Sequence, residues 1–225
     1  MTLAERFAAI EARIAAACQR AGRPRSQVRL VAVSKLHPPE VIRAAFALGQ
    51  RDFGENYAQE LRDKQAALSS LEGIFWHAIG PLQPKNAKYV AKAAHTFHAL
   101  DRIEVATELS RRRTGAPLRC LLEVNLAGEA SKAGVAPDQV AVLVQQVRAL
   151  PNLELTGLTA MPPPSEDPQA SRPHFGKLKK LAAGFGLTQL SMGSTQDFEV
   201  AIEEGATLVR VGTALFGERL SSLGG

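Results

Sequence analysis

Short apolar runs alternate with helical stretches along almost the whole of this 225-residue chain, and no other feature of it narrows the possible folds as far. After a leading helix over about residues 3–21, runs at 29–34, 51–54, 75–79, 96–100, 118–125, 154–159, 189–192 and 207–211 predict eight strands. Helical periods fill the gaps at 39–48, 57–71, 86–94, 102–113, 137–149, 172–183 and 197–204, with a short closing turn from Thr213. Repeated βα units build parallel sheets. Eight of them, read without an inserted domain, predict an α/β fold: a single (β/α)8 TIM barrel domain over residues 1–225 with an extra N-terminal helix. An open doubly wound sheet is the competing arrangement. The proline-rich stretch 161–173 follows the sixth strand and is too short for a domain linker, so it is expected to be a rim loop.

Composition restricts the function classes. An apolar fraction of 45% can supply a full core, and 22% charged residues fit a soluble α/β chain. The net charge of +5 suits an anionic ligand and would also permit weak nucleic-acid contact. The basic residues are scattered, however, and the run Arg111-Arg112-Arg113 closes a helical pattern where cations complement the helix dipole. No zinc-finger or RNA-binding signature supports a nucleic-acid partner. Cys18 and Cys120 show no metal or redox spacing and are expected to be reduced, buried thiols. His77, His95, His98 and His174 show no metal spacing either. The N-terminal segment carries Glu5, Arg6, Glu11 and Arg13, unlike a secretory signal, and no stretch approaches the roughly 18 apolar residues of a membrane span. A cytoplasmic location is the resulting expectation.

In a parallel barrel the chemistry gathers where strands end. Lys35 ends the first strong run, Leu30-Val31-Ala32-Val33-Ser34. An ordinary lysine, with a pKa near about 10.4, is almost wholly protonated at neutral pH, so attack on a carbonyl needs desolvation or a nearby cation. Arg210, at the end of the eighth strand and beside the first if the barrel closes, is a candidate for that cation. A structural lysine paired with a strand-end carboxylate is the other reading. The eighth strand runs into Gly212-Thr213-Ala214 and the seventh into Gly193-Ser194-Thr195, each a glycine followed by hydroxyls at a helix start. Such turns cradle phosphate, although Ser194 or Thr195 could equally cap a helix with Gln196 or Asp197 in its first turn. An amine and an anion site meeting at one rim suit a phosphorylated aldehyde, which points to pyridoxal phosphate.

The blocks Val33-Ser34-Lys35, Phe53-Gly54-Glu55-Asn56-Tyr57 with Gln59-Glu60, Trp76-His77 with Ile79-Gly80 and Leu82-Gln83, Ser131-Lys132 with Gly134, Gly157-Leu158, Ser191-Met192-Gly193, and Val209-Arg210-Val211-Gly212-Thr213-Ala214 with Phe216-Gly217 closely resemble the pyridoxal phosphate homeostasis proteins. Those are alanine-racemase-like barrels, and the match runs from about residue 30 to residue 217. The resemblance implies pyridoxal 5'-phosphate as cofactor, held by Lys35 as an internal aldimine. It also implies that Arg210 faces the pyridine nitrogen and that Gly212, Thr213 and a hydroxyl after the seventh strand hold the phosphate. Asn56 and Met161 would line the pocket. The chain departs from the family pattern at Gly193-Ser194-Thr195, where Thr195 takes the phosphate-hydroxyl register and Ser194 is its rival. It departs again at Gln83-Pro84-Lys85-Asn86 and at Leu36-His37, where His37 either touches the cofactor or covers the rim.

Whether such a site turns anything over depends on the ring as an electron sink. Arginine can only donate, so at the pyridine nitrogen it would hold that atom unprotonated and weaken the sink. Alanine racemase tolerates this because a second domain brings a tyrosine base, for which a chain ending at Gly225 leaves no room. The resemblance therefore implies a binding protein, not an enzyme. It would hold the cofactor as a Schiff base for intracellular homeostasis and release it to apoenzymes, with Lys132 as a candidate second amine. A monomer without membrane or nucleic-acid partner is expected. The rival readings are an alanine-racemase-like enzyme with His77 or Tyr57 as second base, and a basic scaffold using Arg111 to Arg113.

Overall fold

The computed structural model describes residues 1–128 and 133–217. Its strands are β1 (Arg29–Val33), β2 (Asp52–Glu55), β3 (Phe75–Ala78), β4 (Thr96–Leu100), β5 (Leu118–Glu123), β6 (Leu153–Thr159), β7 (Gln189–Ser191) and β8 (Leu208–Val211). They close in sequence order into one barrel, every neighbouring pair parallel, with β8 returning to β1. That settles the choice against an open sheet. The helices are α1 (Leu3–Arg20), α2 (Pro39–Ala47), α3 (Ala58–Ala67), α4 (Ala87–Ala93), α5 (Ile103–Arg112), α6 (Val140–Arg148), α7 (Arg172–Gly184), α8 (Phe198–Glu203) and α9 (Thr213–Phe216).

The expected elements differ from these mainly at their ends. The helix expected over 137–149 opens instead as a 3-10 turn at Pro137–Gln139, with α6 proper starting at Val140; Pro137 stands in the first turn, where its missing N–H removes no ladder bond. The fifth strand stops at Glu123, after which Val124 makes only a single bridge to Val135. The rim loop after β6 carries a 3-10 turn at Pro168–Ser171 that leads straight into α7.

Helix α1 shows why the N-terminus folds as it does. Thr2 and Glu5 form a reciprocal capping box, and Ile10, Ile14, Ala17 and Cys18 make its buried face. It packs against α8 and α9: Arg13 and Arg20 pair with Glu199, and Arg20 also pairs with Glu203, at 2.7 to 2.9 Å. Arg6 Nε donates to the Leu215 carbonyl at 2.6 Å, and Phe7 packs edge-on against Phe216. The helix thereby braces α9 and the turn that precedes it.

Most of the core lies between the barrel and its helices. A separate small cluster of Val31, Leu121 and Leu208 stands apart from it. Buried polar side chains accompany the strands, among them His77, His98, Thr159, Ser191 and Arg210. Both cysteines are buried free thiols, and burial pushes Cys120 up to about 12. No helix among the described residues is long and apolar enough to cross a membrane.

Candidate functional site at the carboxyl rim

Strand pairing brings the first and last strand ends together. Ala32 is in register with Val211, so Val33 and Gly212 follow side by side. A Cβ at Gly212 would stand 3.2 Å from the Val33 carbonyl oxygen, a close approach that favours glycine. Lys35, half-buried, leaves β1 beside the Gly212–Thr213 turn. The turn after β7 has a stricter need. Gly193 has φ +90°, and a Cβ there would stand 2.6 Å from Ala201 Cβ and 2.8 Å from Phe198 Cα. The Arg210 backbone N–H donates to the Gly193 carbonyl at 3.0 Å, tying the two glycine turns to each other.

Arg210 points inward and is only 8% exposed. Its Nη1 donates to Ser191 Oγ and, at 3.1 Å, to Thr159 Oγ1, while Nη2 lies 2.8 Å from the Met161 sulfur. All three partners are neutral, and among the described residues no carboxylate lies within ion-pair distance of the guanidinium. Burial pulls its pKa down, and the more distant Glu123 and Asp197 oppose that. A buried cation served by two hydroxyls and a thioether keeps donor capacity for a ligand acceptor. This donor set fits a heteroaromatic ring nitrogen, and the amine and glycine turns beside it fit an aldehyde and an anion.

A cavity of about 170 Å3 opens over Arg210, lined by Met161, Pro162 to Pro164, Gly193, Ser194 and Asp197 among others. A second, of about 220 Å3, runs from Met161 to Glu123 and Asn125. Met161, itself 55% exposed, separates the two. Lys35, Asn56, Thr195, Gly212 and Thr213 follow the ends of β1, β2, β7 and β8 on the same rim and line neither cavity. Asn56 is fixed by Gly80, where a Cβ would fall 2.3 Å from the Asn56 carbonyl oxygen.

The two hydroxyls after β7 separate in role. The Ser194 N–H donates to Asp197 Oδ1 at 2.7 Å and its Oγ to the same atom at 3.1 Å, while Ser171 Oγ takes Oδ2 at 2.8 Å. Ser194 is thus committed to Asp197, the residue just before α8, which begins at Phe198, one residue later than expected. Lys132 falls outside the described residues. His37 is buried, with its ring 5.4 Å from that of Phe216 in α9. Gln83 precedes a 3-10 turn at Pro84–Asn86, in which the proline fixes the backbone.

One part of the site escaped the sequence. Lys64, in α3 and 4% exposed, donates from Nζ to the Ser34 carbonyl (2.7 Å), Glu55 Oε1 (2.8 Å) and Glu60 Oε1 (2.7 Å). Ser34 Oγ donates to the same Glu55 oxygen at 2.6 Å, and the Leu36 N–H to the same Glu60 oxygen at 2.6 Å. The residues on both sides of Lys35 are therefore anchored to one buried ammonium. Leu36 is held at φ +63°, a left-handed conformation costing a non-glycine residue about 1 kcal/mol. Burial raises the Glu55 carboxyl to about 7, against the pull of Lys64. The Glu60–Lys64 spacing of four residues was the available signal, but it reads equally well as an exposed helical pair.

The Arg111-Arg112-Arg113 run is used within the fold. Arg111 and Arg112 pair with Glu108, and Arg113 donates to the carbonyls of Ala91, Ala94 and Ala116.

Comparison with known proteins bears on the family and the fold. The family model described as alanine racemase, N-terminal domain, matches residues 6–220. A pyridoxal phosphate homeostasis protein of Pseudomonas aeruginosa is 46% identical over 222 residues, covering 97% of this chain and 96% of the relative. One from Aquifex aeolicus is 42% identical over 227 residues, covering 97% and 99%. The solved structure of PipY from Synechococcus elongatus with PLP bound superposes with a TM-score of 0.84 at 35% identity, covering 96% of this chain and all of that one.

Proposed function

The chain belongs to the pyridoxal phosphate homeostasis protein family, and on that premise we propose that it binds pyridoxal 5'-phosphate at the carboxyl rim and holds it reversibly through Lys35. The observation that carries the reading is the buried Arg210 with its neutral partners, one strand away from the lysine that ends β1. The Lys35 amine, once deprotonated, condenses with an aldehyde carbon, forming a carbon–nitrogen double bond and releasing one water. Thr195, Gly212 and Thr213 offer hydroxyls and backbone N–H groups to the phosphate. Ser194, already engaged with Asp197, has the lesser part. Asn56 and Met161 flank the ring.

The protein's task in this reading is storage and safe carriage of a reactive aldehyde, not turnover. Bound there, the cofactor supplies a carbonyl and an electron-withdrawing ring, which is weak as a sink when its nitrogen is unprotonated. Arg210 donates to that nitrogen and cannot protonate it. A second base is also poorly served. His77 has both ring nitrogens engaged in the barrel interior, Tyr57 is 53% exposed, and Tyr89 lies under the Arg62 guanidinium on the outer helices. Delivery to pyridoxal-phosphate-dependent apoenzymes, with Lys132 as the amine that releases the cofactor, completes the role. It is carried out by a monomeric, single-domain cytoplasmic protein with no membrane or nucleic-acid partner.

Reconstitution tests the reading. Mixing purified protein with pyridoxal phosphate should generate a visible absorption band that Lys35→Ala abolishes while the far-ultraviolet circular dichroism stays unchanged. A band that survives Lys35→Ala would refute the assignment. Incubation of the loaded protein with L-alanine in deuterated water should leave the α-proton in place; exchange would instead establish a racemase-like enzyme.

A further inference from the structure

Arg210 is also the upper end of a hydrogen-bonded chain that crosses the barrel. Ser191 Oγ, which accepts from Arg210, lies 2.8 Å from His98 Nδ1. His98 Nε2 lies 2.9 Å from His77 Nδ1, and His77 Nε2 lies 2.9 Å from Asp52 Oδ1. The ends of the chain fix its direction, because a guanidinium can only donate and an ionised carboxylate can only accept. Ser191 therefore donates to His98 Nδ1, His98 donates from Nε2 to His77, and His77 donates from Nε2 to Asp52. This assigns a single neutral tautomer to each imidazole. Burial, followed by the charges of His77 and Arg210, holds the pKa of His98 well below the ordinary histidine range.

The lower end opens on the opposite mouth. His77 lines a cavity of about 330 Å3 at the amino ends of the strands, together with Arg23, Arg29, Arg119 and hydroxyls that include Thr96 and Thr188. Its guanidiniums are loosely countered: Arg29–Asp52 is 3.5 Å and Arg119–Glu154 is 3.6 Å, whereas Arg172–Glu203 closes to 2.6 Å. Among the described residues, Arg23 is bonded to Gln27 and to the Ile202 carbonyl, with no carboxylate partner. The neighbouring His95 reports the same field: its pKa is lowered by burial, then by His77, Arg113 and Arg119. The volume falls in the small-ligand range of about 300–1,000 Å3, and arginine forks match phosphate and carboxylate oxygens.

We propose that this lower mouth is a second binding site, for a small phosphate- or carboxylate-bearing anion, and that the chain Asp52–His77–His98–Ser191 carries its occupancy to Arg210. The groups facing His77 are Asp52, His98, His95, Arg23, Arg29 and Arg119, so a bound anion offsets three cations and relieves Asp52 of the pull of Arg29. No proton changes place. Asp52 becomes a stronger acceptor for His77 Nε2–H, and hydrogen bonds in a chain polarise one another, so His77 Nδ1 draws harder on His98 Nε2–H and His98 Nδ1 on the Ser191 hydroxyl. The Ser191 oxygen is then the better acceptor, and its grip on the Arg210 guanidinium tightens. The binding half stands on the lower mouth alone; the coupling half rests on Arg210 acting at the cofactor.

The test uses protein loaded with pyridoxal phosphate and fixed by borohydride, so that the upper anion site is filled. Calorimetric titration with inorganic phosphate and, separately, with succinate should give saturable binding. The double variant Arg29→Gln/Arg119→Gln should weaken it by roughly tenfold or more, since two charge-assisted contacts are lost. The stronger of the two probes identifies the oxyanion class, and no binding to either, or equal binding by the double variant, overturns the site. For coupling, the same probe added to unreduced loaded protein should shift the pH midpoint of the cofactor's absorption in wild type. The shift should vanish in His98→Gln, or in Ser191→Ala should the first variant fail to fold, with calorimetric binding retained. A shift that persists in both variants overturns the relay and leaves the site standing. Failure to load pyridoxal phosphate at all would instead count against the upper site, and phosphate binding to the unloaded protein, compared between Arg29→Gln/Arg119→Gln and Thr213→Val, would still decide the lower one.

Discussion

Replacing Lys64 by methionine keeps most of the side-chain volume and removes the one ammonium that joins Ser34, Glu55 and Glu60. Glu55 is buried and Glu60 half-buried, both on the Lys64 ammonium, and each already has one oxygen, Oε2, that is buried without a hydrogen-bond partner among the described residues. Removing one partner of a buried ion pair costs about 3–5 kcal/mol, because the remaining charge keeps its desolvation penalty. At pH 8, where Glu55 with its value of about 7 is mostly ionised, the full loss is expected. At pH 5 Glu55 is already protonated in the native state, so the ammonium has less to neutralise there, and the loss should fall to about 1–2 kcal/mol. Urea unfolding followed through the fluorescence of Trp76, the only tryptophan and a buried one, measures both values. A loss below about 1 kcal/mol at pH 8, or an equal loss at the two pH values, would mean that Lys64 is held by packing and that the electrostatic account of the Lys35 anchor is wrong.

Other outcomes follow from the same coordinates. Glu55→Gln should flatten the pH dependence of stability. A carboxyl raised from 4.5 to about 7 in the native state imposes no cost below its unfolded value and loses about 3 kcal/mol as pH rises through that window, so the wild type should lose more stability than the variant between pH 4.5 and 7. Gly157→Ala places a Cβ 1.9 Å from the Gln189 carbonyl oxygen, backbone against backbone between β6 and β7. Thermal unfolding should report a destabilisation of about 3 kcal/mol, at the upper end of overpacking. Arg113→Met removes the donor to three carbonyls, including two at the end of α4, and should cost about 2–3 kcal/mol in the same assay. Arg111→Ala, whose partner among the described residues is Glu108 in a surface pair, should change nothing measurable.

The barrel was legible because each strand is a short apolar run bounded by turn residues, and the expected strands fall within a residue or two of those observed. Lys35, Arg210, Gly193 and Gly212 were legible for a related reason: each stands at or just past a strand end, and barrel topology assigns those positions to the rim. What escaped is what depends on three-dimensional closure. Lys64 sits in the polar sequence Ala-Gln-Glu-Leu-Arg-Asp-Lys-Gln-Ala-Ala, and nothing local shows that one face of α3 turns its charges toward the β1–β2 rim. His77 and His98 each occupy the third position of consecutive strands, a pattern visible in the sequence. The link from His98 on to Ser191 spans 93 residues and exists only once β7 has taken its place beside β8. Ser194 and Thr195 were separable only when Asp197 was seen to take the Ser194 hydroxyl and N–H together.

The central claim, that a lysine ending the first strand captures an aldehyde beside the last, is tested most directly by hydride trapping. Protein incubated with pyridoxal phosphate, reduced with borohydride, digested and sequenced by mass spectrometry should carry the pyridoxyl group on Lys35 in a one-to-one ratio. Modification centred on Lys64, Lys132 or any other lysine, with Lys35 unmodified, would contradict it.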